Sequence, residues 1–301
     1  MKRAGLLLAG ALVSPAFAAG GHVAGREVRT AAIAPWEEDA PLEPAFTTRR
    51  REGGGGRLSS ARAADYDAVI HLAAHLDKSP AAAEECFRTN AWGAANIVRH
   101  MRPRSVFIYA STKDVYGSHA AAFDEVPETC PTDFCGQSPL EWSKLVGERY
   151  VDYYAGVGGV RACIFRLSTV YARPVEGSQP GFVAHYVESV KRRRLIRLPG
   201  AGAPVRDILH VDDFSRACRA FIDSHRAAGM YNLGGGRGNA ATLREIVETV
   251  GRMIEIEPLI DEGATIPAPV PFKYVSDLTR ARDELNWQPR IGIEEGLRSL
   301  L

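Results

Sequence analysis

The sequence predicts an α/β fold built on a parallel sheet, with a smaller lobe of mixed structure toward the C-terminus. Continuous apolar runs at 68–72, 105–110 and 160–167 have the length and composition of strands covered on both faces. Between them, 80–101 and 140–154 read as helices, the second with its apolar residues at helical spacing. From about residue 172 this alternation gives way to a mixed pattern, which marks the lobe.

The elements follow in order. Met1-Lys2-Arg3, an apolar stretch over 4–13 and Ala16-Phe17-Ala18 have the outline of a secretory leader with its cleavage site. The same residues also read as a buried first strand at 5–9 running into the first helix of a dinucleotide-binding unit. The strand reading is adopted, because cutting after Ala18 would remove the central strand of the sheet. Segment 35–62 is rich in Pro, Gly and charge and contains Gly53-Gly54-Gly55-Gly56, so it reads as a loose connection around a weak strand, disordered in part. The body is expected over 1–171 and 208–236, and the lobe over 172–207 and 237–301. Nothing repeats internally, and outside the N-terminal stretch no apolar run approaches the ~20 residues that a membrane-spanning helix needs.

At 301 residues the chain can bury a large core. With 37 basic and 36 acidic residues it carries no global field toward nucleic acid or an anionic membrane, so neither partner is expected. The basic runs Arg49-Arg50-Arg51 and Lys191-Arg192-Arg193-Arg194 read as solvated faces. Five cysteines without CxxC or His-paired spacing suit reduced thiols in a cytoplasmic protein, with no disulfide and no metal.

Six short motifs and one asparagine then appear in a fixed order. Ile70-His71-Leu72-Ala73-Ala74 is followed by Asn90, by Ala110-Ser111-Thr112-Lys113-Asp114-Val115-Tyr116-Gly117 and by S-P-L-E-W-S-K-L-V-G-E at 138–148. Arg206-Asp207-Ile208-Leu209-His210-Val211-Asp212-Asp213, then Tyr231-Asn232-Leu233-Gly234, and D-L-T-R-A-R-D-E-L-N-W-Q-P at 277–289 complete the series. Together they resemble the extended short-chain dehydrogenase/reductase family, the NAD-dependent epimerases and dehydratases of nucleotide sugars. The resemblance implies a Rossmann-type doubly wound sheet and a homodimer. It also implies a small-molecule substrate that is a sugar or nucleotide sugar, and NAD or NADP lying against Leu72, Ala73, Ala74, Asn90 and Lys144. It gives Thr112 the role of catalytic hydroxyl.

The departures concern chemistry. Leu140 stands where the family has its acid/base tyrosine, and a leucine transfers no proton. Of the glycine fingerprint only Gly10 is kept, with Val13 and Ala16 at the second and third glycine positions, so the cofactor is expected to bind weakly or not at all. The ribose-binding acid falls near Ala32, and Arg57 takes the adenine-side aspartate position. Thr169 replaces an asparagine that contacts nucleotide sugar, while Arg206 is retained as a diphosphate clamp. The T-D-E triplet of the family's dehydratases corresponds to Thr112-Lys113-Asp114, where Asp114 offers acid/base function and Lys113 a substrate contact. Two readings stand: a sugar-modifying enzyme repurposed toward acid/base chemistry, with Thr112, Asp114 and Lys144 as its catalytic set, and a non-catalytic binding or regulatory scaffold of the same family.

Overall fold

Gly5–Ala9 is a strand with two parallel neighbours, Arg26–Ile33 on one side and Ala68–His71 on the other. This is the central place that the strand reading requires. The computed structural model describes residues 5–9, 22–23, 26–33, 46–48, 63–174, 181–265 and 271–301, and for the strands before residue 63 it gives the backbone course. Among the described residues the main sheet has eight strands. Their order is Ala228–Leu233, Arg161–Leu167, Val106–Thr112, Ala68–His71, Gly5–Ala9, Arg26–Ile33 and His22–Val23, with Phe46–Thr48 also paired to Arg26–Ile33. Val106–Thr112 pairs in parallel with Ala68–His71, bringing Tyr109 opposite His71. Phe46–Thr48 is the strand expected inside 35–62, and the rest of that segment lies outside the described residues, as do Gly10, Val13, Ala16 and Arg57.

The chain forms two compact units. The first comprises Met1–Val115, Gln137–Phe165 and Phe221–Met230. Its core joins sheet residues Val69, Phe107 and Ile164 to the helical residues Ile97, Val98, Val151 and Ala155. The expected helix over 80–101 is a composite of a 3-10 turn at Pro80–Ala82, α-helix at Ala83–Cys86, a π-helical stretch at Phe87–Trp92 and α-helix again at Gly93–Val98. The next helix, Pro139–Gly158, starts where Ser138-Pro139-Leu140-Glu141 supplies a capping box: the Glu141 carboxylate accepts from the Ser138 amide at 2.6 Å. It ends at Gly159, whose φ of 63° is left-handed backbone suited to glycine.

Gly147 sets how deeply this helix sits. A Cβ there would fall on the Tyr109 hydroxyl and lie 2.9 Å from the Asn90 carbonyl, which itself accepts from that hydroxyl at 2.8 Å. At the far edge of the unit, Arg161 donates to the carbonyls of Phe221, Ile222, Ser224 and Arg226. One guanidinium thus satisfies carbonyls that a helix end leaves without partners.

The second unit comprises Tyr116–Gly136, Arg166–Ala220 and Tyr231–Leu301. Val205–His210 is its central strand, antiparallel to Ala240–Thr242 and parallel to both Lys273–Tyr274 and Thr169–Tyr171. Helices Phe182–Lys191, Leu243–Ile254 and Ile293–Arg298 supply its core through Val187, Ile246, Val250 and Leu297. Two motif aspartates act structurally here. Asp207, fully buried, accepts from the amides of Ser276 (3.0 Å) and Gly236 (3.1 Å) and from the Ser168 hydroxyl. Asp213 accepts from the amides of Arg290 and Ile291, and its own carbonyl accepts from the Trp287 indole at 3.0 Å. The R-D-x-x-H-V-D-D and N-W-Q-P segments are therefore tied together by hydrogen bonds that a buried carboxylate requires.

Candidate active site

Three pieces of the first unit converge at the carboxyl end of Val106–Thr112: the strand end with its following turn, the loop after Ala68–His71, and the start of the Pro139–Gly158 helix. The carboxyl edge of a parallel sheet is where ligands of this architecture bind. Thr112 is half-buried, and its hydroxyl oxygen accepts from the Asp114 amide at 3.2 Å, which turns the chain out of the strand.

Asp114 does not face open solvent. Its carboxylate pairs with Lys113 through Oδ1 and with Lys78 through Oδ2 at 2.9 Å. Lys78 also reaches Glu141 Oε1 at 2.7 Å, so one ammonium joins two carboxylates from different elements. Burial alone would raise the Asp114 carboxyl, but the ammoniums of Lys113 and Lys78 outweigh it and hold the group well below the usual carboxylate range. Such a carboxylate keeps its charge and is a weak proton acceptor. Lys78 is shifted upward: burial works against its charge, and the carboxylates of Asp114 and Glu141 more than offset that.

Lys144 behaves in the opposite way. Its ammonium is buried, donates to the Ala110 carbonyl at 2.8 Å and sits 5.0 Å from the centre of the Tyr109 ring. Burial pushes it down to about 7, with Glu148 acting against the shift. An amine in that range exists in both protonation states near neutral pH. Glu148 accepts from the Ser111 hydroxyl at 2.6 Å. His71, fully buried between Phe107 and Tyr109, has no hydrogen-bond partner for either ring nitrogen among the described residues, and burial, then Lys144, lower it to about 3. It is held as a neutral imidazole at the carboxyl end of the Ala68–His71 strand.

Leu140 is buried against Ala82 and Cys86, so the position without its hydroxyl is closed by apolar contact. The tyrosines that could compensate are occupied elsewhere: the Tyr116 hydroxyl donates to Asn232 at 2.7 Å, the Tyr109 hydroxyl to Asn90, and the Tyr150 ring leans on Trp92. Leu72, Ala73 and Ala74 follow the Ala68–His71 strand, with Ala73 buried. Asn90, within the π-helical stretch, accepts from the His75 amide and donates to the His75 carbonyl and the Ser143 hydroxyl, all at 2.8–3.0 Å. Its amide anchors the loop that carries Lys78. Thr169 and Arg206 belong to the second unit, where Thr169 is half-buried and Arg206 donates to the carbonyls of Val205 (2.6 Å) and Phe272 (3.1 Å).

Sequence reasoning passed over Lys78, Glu141, Glu148 and His71 as parts of this site. Glu141 had a signal, the S-x-x-E capping pattern, whereas Lys78 had none. All five cysteines are free, and among the described residues no group of His, Cys, Asp and Glu side chains is placed to hold a metal ion. Among the described residues no helix is long and apolar enough to cross a membrane.

An α/β unit with its polar cluster at the carboxyl edge of a parallel sheet defines a dinucleotide-fold protein, and residues 45–234 match the NAD dependent epimerase/dehydratase family. The chain belongs to that family. It is 30% identical over 271 residues to a dTDP-glucose 4,6-dehydratase of Mycobacterium tuberculosis, covering 88% of this chain and 80% of that one. It is 27% identical over 238 residues to a UDP-glucuronate 4-epimerase of Thermodesulfobacterium geofontis, covering 77% and 70%. The fold matches the UDP-glucose 4-epimerase of Thermotoga maritima, solved with UDP-glucose, at a TM-score of 0.75 and 22% identity over 98% of this chain and 96% of that one. It also matches RMD of Pseudomonas aeruginosa, solved with NADPH, at a TM-score of 0.72 and 21% identity over 98% and 97%.

Proposed function

We propose that this protein modifies a sugar or nucleotide sugar by proton transfer, with Lys144 taking the part that a tyrosine at position 140 would have played. The observation that carries this reading is the pairing of two unlike groups within one unit: a buried Lys144 ammonium that donates to the Ala110 carbonyl, where burial lowers its hold on the proton, and an Asp114 carboxylate paired with both Lys113 and Lys78. Groups whose environments push their proton affinities apart are the raw material of acid/base catalysis, and burying them costs stability. In this reading Lys144 exchanges the proton, Thr112 offers a hydroxyl to an oxygen of the substrate, and Asp114 holds its two lysines in place.

The test is isotopic. Nucleoside-diphosphate keto-hexoses and free keto-hexoses incubated with the protein in D₂O are expected to take up deuterium at the ring carbon beside the carbonyl, read by NMR. Absence of exchange across both sets would favour the non-catalytic scaffold, a reading that the apolar closure around Leu140 supports.

The cofactor side fits a nicotinamide dinucleotide in part. Lys144 would hold the nicotinamide ribose, with Ala73 and Ala74 following the strand end beside it. When bound, NAD or NADP would supply a hydride acceptor, but no hydroxyl at Leu140 stands ready to move the accompanying proton. Val13 and Ala16 at glycine positions would keep the backbone away from the pyrophosphate. Calorimetry is therefore expected to give dissociation constants far weaker than micromolar for both NAD(H) and NADP(H). A low-micromolar value for either would return the protein to ordinary redox chemistry.

A further inference from the structure

We propose that Lys78 is a positioning residue of this site: its ammonium clamps the Asp114 and Glu141 carboxylates together and so joins the 72–79 loop, the turn after Thr112 and the first turn of the Pro139–Gly158 helix into one wall. Each contact is a direct ion pair, 2.9 Å to Asp114 Oδ2 and 2.7 Å to Glu141 Oε1. The three participants differ in exposure in a telling way. The side chain of Glu141 is 6% exposed and that of Asp114 22%, while that of Lys78 is 54% exposed, so a half-exposed side chain bridges two enclosed charges.

Each end of the clamp is itself held. Glu141 accepts from the Ser138 amide, so it is fixed to the helix start. Asp114 is held by Lys113, and its amide by the Thr112 hydroxyl. The loop that delivers Lys78 is anchored by the two Asn90–His75 hydrogen bonds and by the Cys86 thiol, which donates to the Asp77 carbonyl at 3.3 Å. Other charged groups nearby are engaged differently. His75 faces Asp77 and Glu85, and Cys86, from the packed helix, lies beside Asp77, Glu85 and Glu141. Lys113 and Lys78 are the cations acting on Asp114. Removing Lys78 takes away one of the two lysines that oppose burial, and the proton affinity of Asp114 must then rise.

This proposal rests on the acid/base reading for its purpose but not for its test. Carbon-detected NMR titration of the Asp114 carboxyl in native protein, Lys78→Met and Lys78→Arg needs no substrate. In Lys78→Met the onset of Asp114 protonation is expected to move up by about one pH unit or more, the effect of losing an adjacent opposite charge. In Lys78→Arg, which keeps a cation within reach, it is expected to stay near the native position. A purely structural Lys78 would loosen amide exchange around 113–115 and 138–141 without moving this titration. An unmoved titration in Lys78→Met, or an equal movement in Lys78→Arg, would overturn the proposal. Loss of deuterium exchange in the sugar assay would bear on the enzyme reading alone, so the two failures are separable.

Discussion

Lys144→Met is expected to lower turnover by roughly 100-fold or more, the usual contribution of a general base. The pH dependence gives the sharper result. Because burial places the Lys144 ammonium at about 7, the neutral amine accumulates as pH rises through that value, so native turnover should climb through about pH 7 and level off above it. The methionine variant should lack this limb. A linked effect on stability follows with a defined sign. Folded Lys144 releases its proton at about 7, whereas the unfolded lysine holds it to 10.5, so the unfolded chain binds more protons over that interval. Native stability from this group therefore rises with pH between these values. Denaturant melts of Lys144→Met should lack that slope, and a variant retaining both the activity limb and the stability slope would remove Lys144 from its proposed role.

Asp114→Asn is expected to reduce turnover by a similar factor, roughly 100-fold, for a different reason: groups displaced by about an ångström lose that much rate. The amide keeps the shape and loses the charge that holds two ammoniums. Lys113, whose side chain is 9% exposed, would lose its carboxylate partner, and Lys78 one of two. Breaking a largely buried ion pair from one side destabilises on the order of 3 kcal/mol, so the variant should melt earlier in denaturant as well as turn over more slowly. Full activity in a destabilised Asp114→Asn would show that the ion pairs hold the turn without serving catalysis.

Much of the fold was legible because burial leaves a direct mark on sequence. Strands covered on both faces are mainly apolar, and 68–70, 106–110 and 162–165 say so in their composition. The Gly5–Ala9 strand was legible only by inference from the rest, since the same apolar run also satisfies the pattern of a leader. The π-helical stretch at Phe87–Trp92 left no trace, because an added residue in a turn hardly changes apolar spacing over so short a span. The site divides along similar lines. Thr112, Asp114 and Lys144 could be singled out because they fall within recognisable strings, and the structure places all three in one unit. Lys78 was not found because its partnership with Asp114 spans 36 residues and its loop has no periodicity. Arg206 shows the converse: in sequence a guanidinium suggests phosphate, and here its nearest acceptors include the carbonyls of its own chain.

Gly147 has a consequence for anyone re-engineering this protein. With no room for a Cβ above Tyr109, the helix bearing Leu140 and Lys144 rests backbone-to-ring on the strand beneath it. Its height is thus a property of the scaffold and is indifferent to what side chain occupies position 140. A residue grafted at that position inherits a platform already levelled. What the graft must negotiate is the neighbouring apolar seat of Ala82 and Cys86, so a designer would begin by re-cutting those two contacts and leave the helix where it lies.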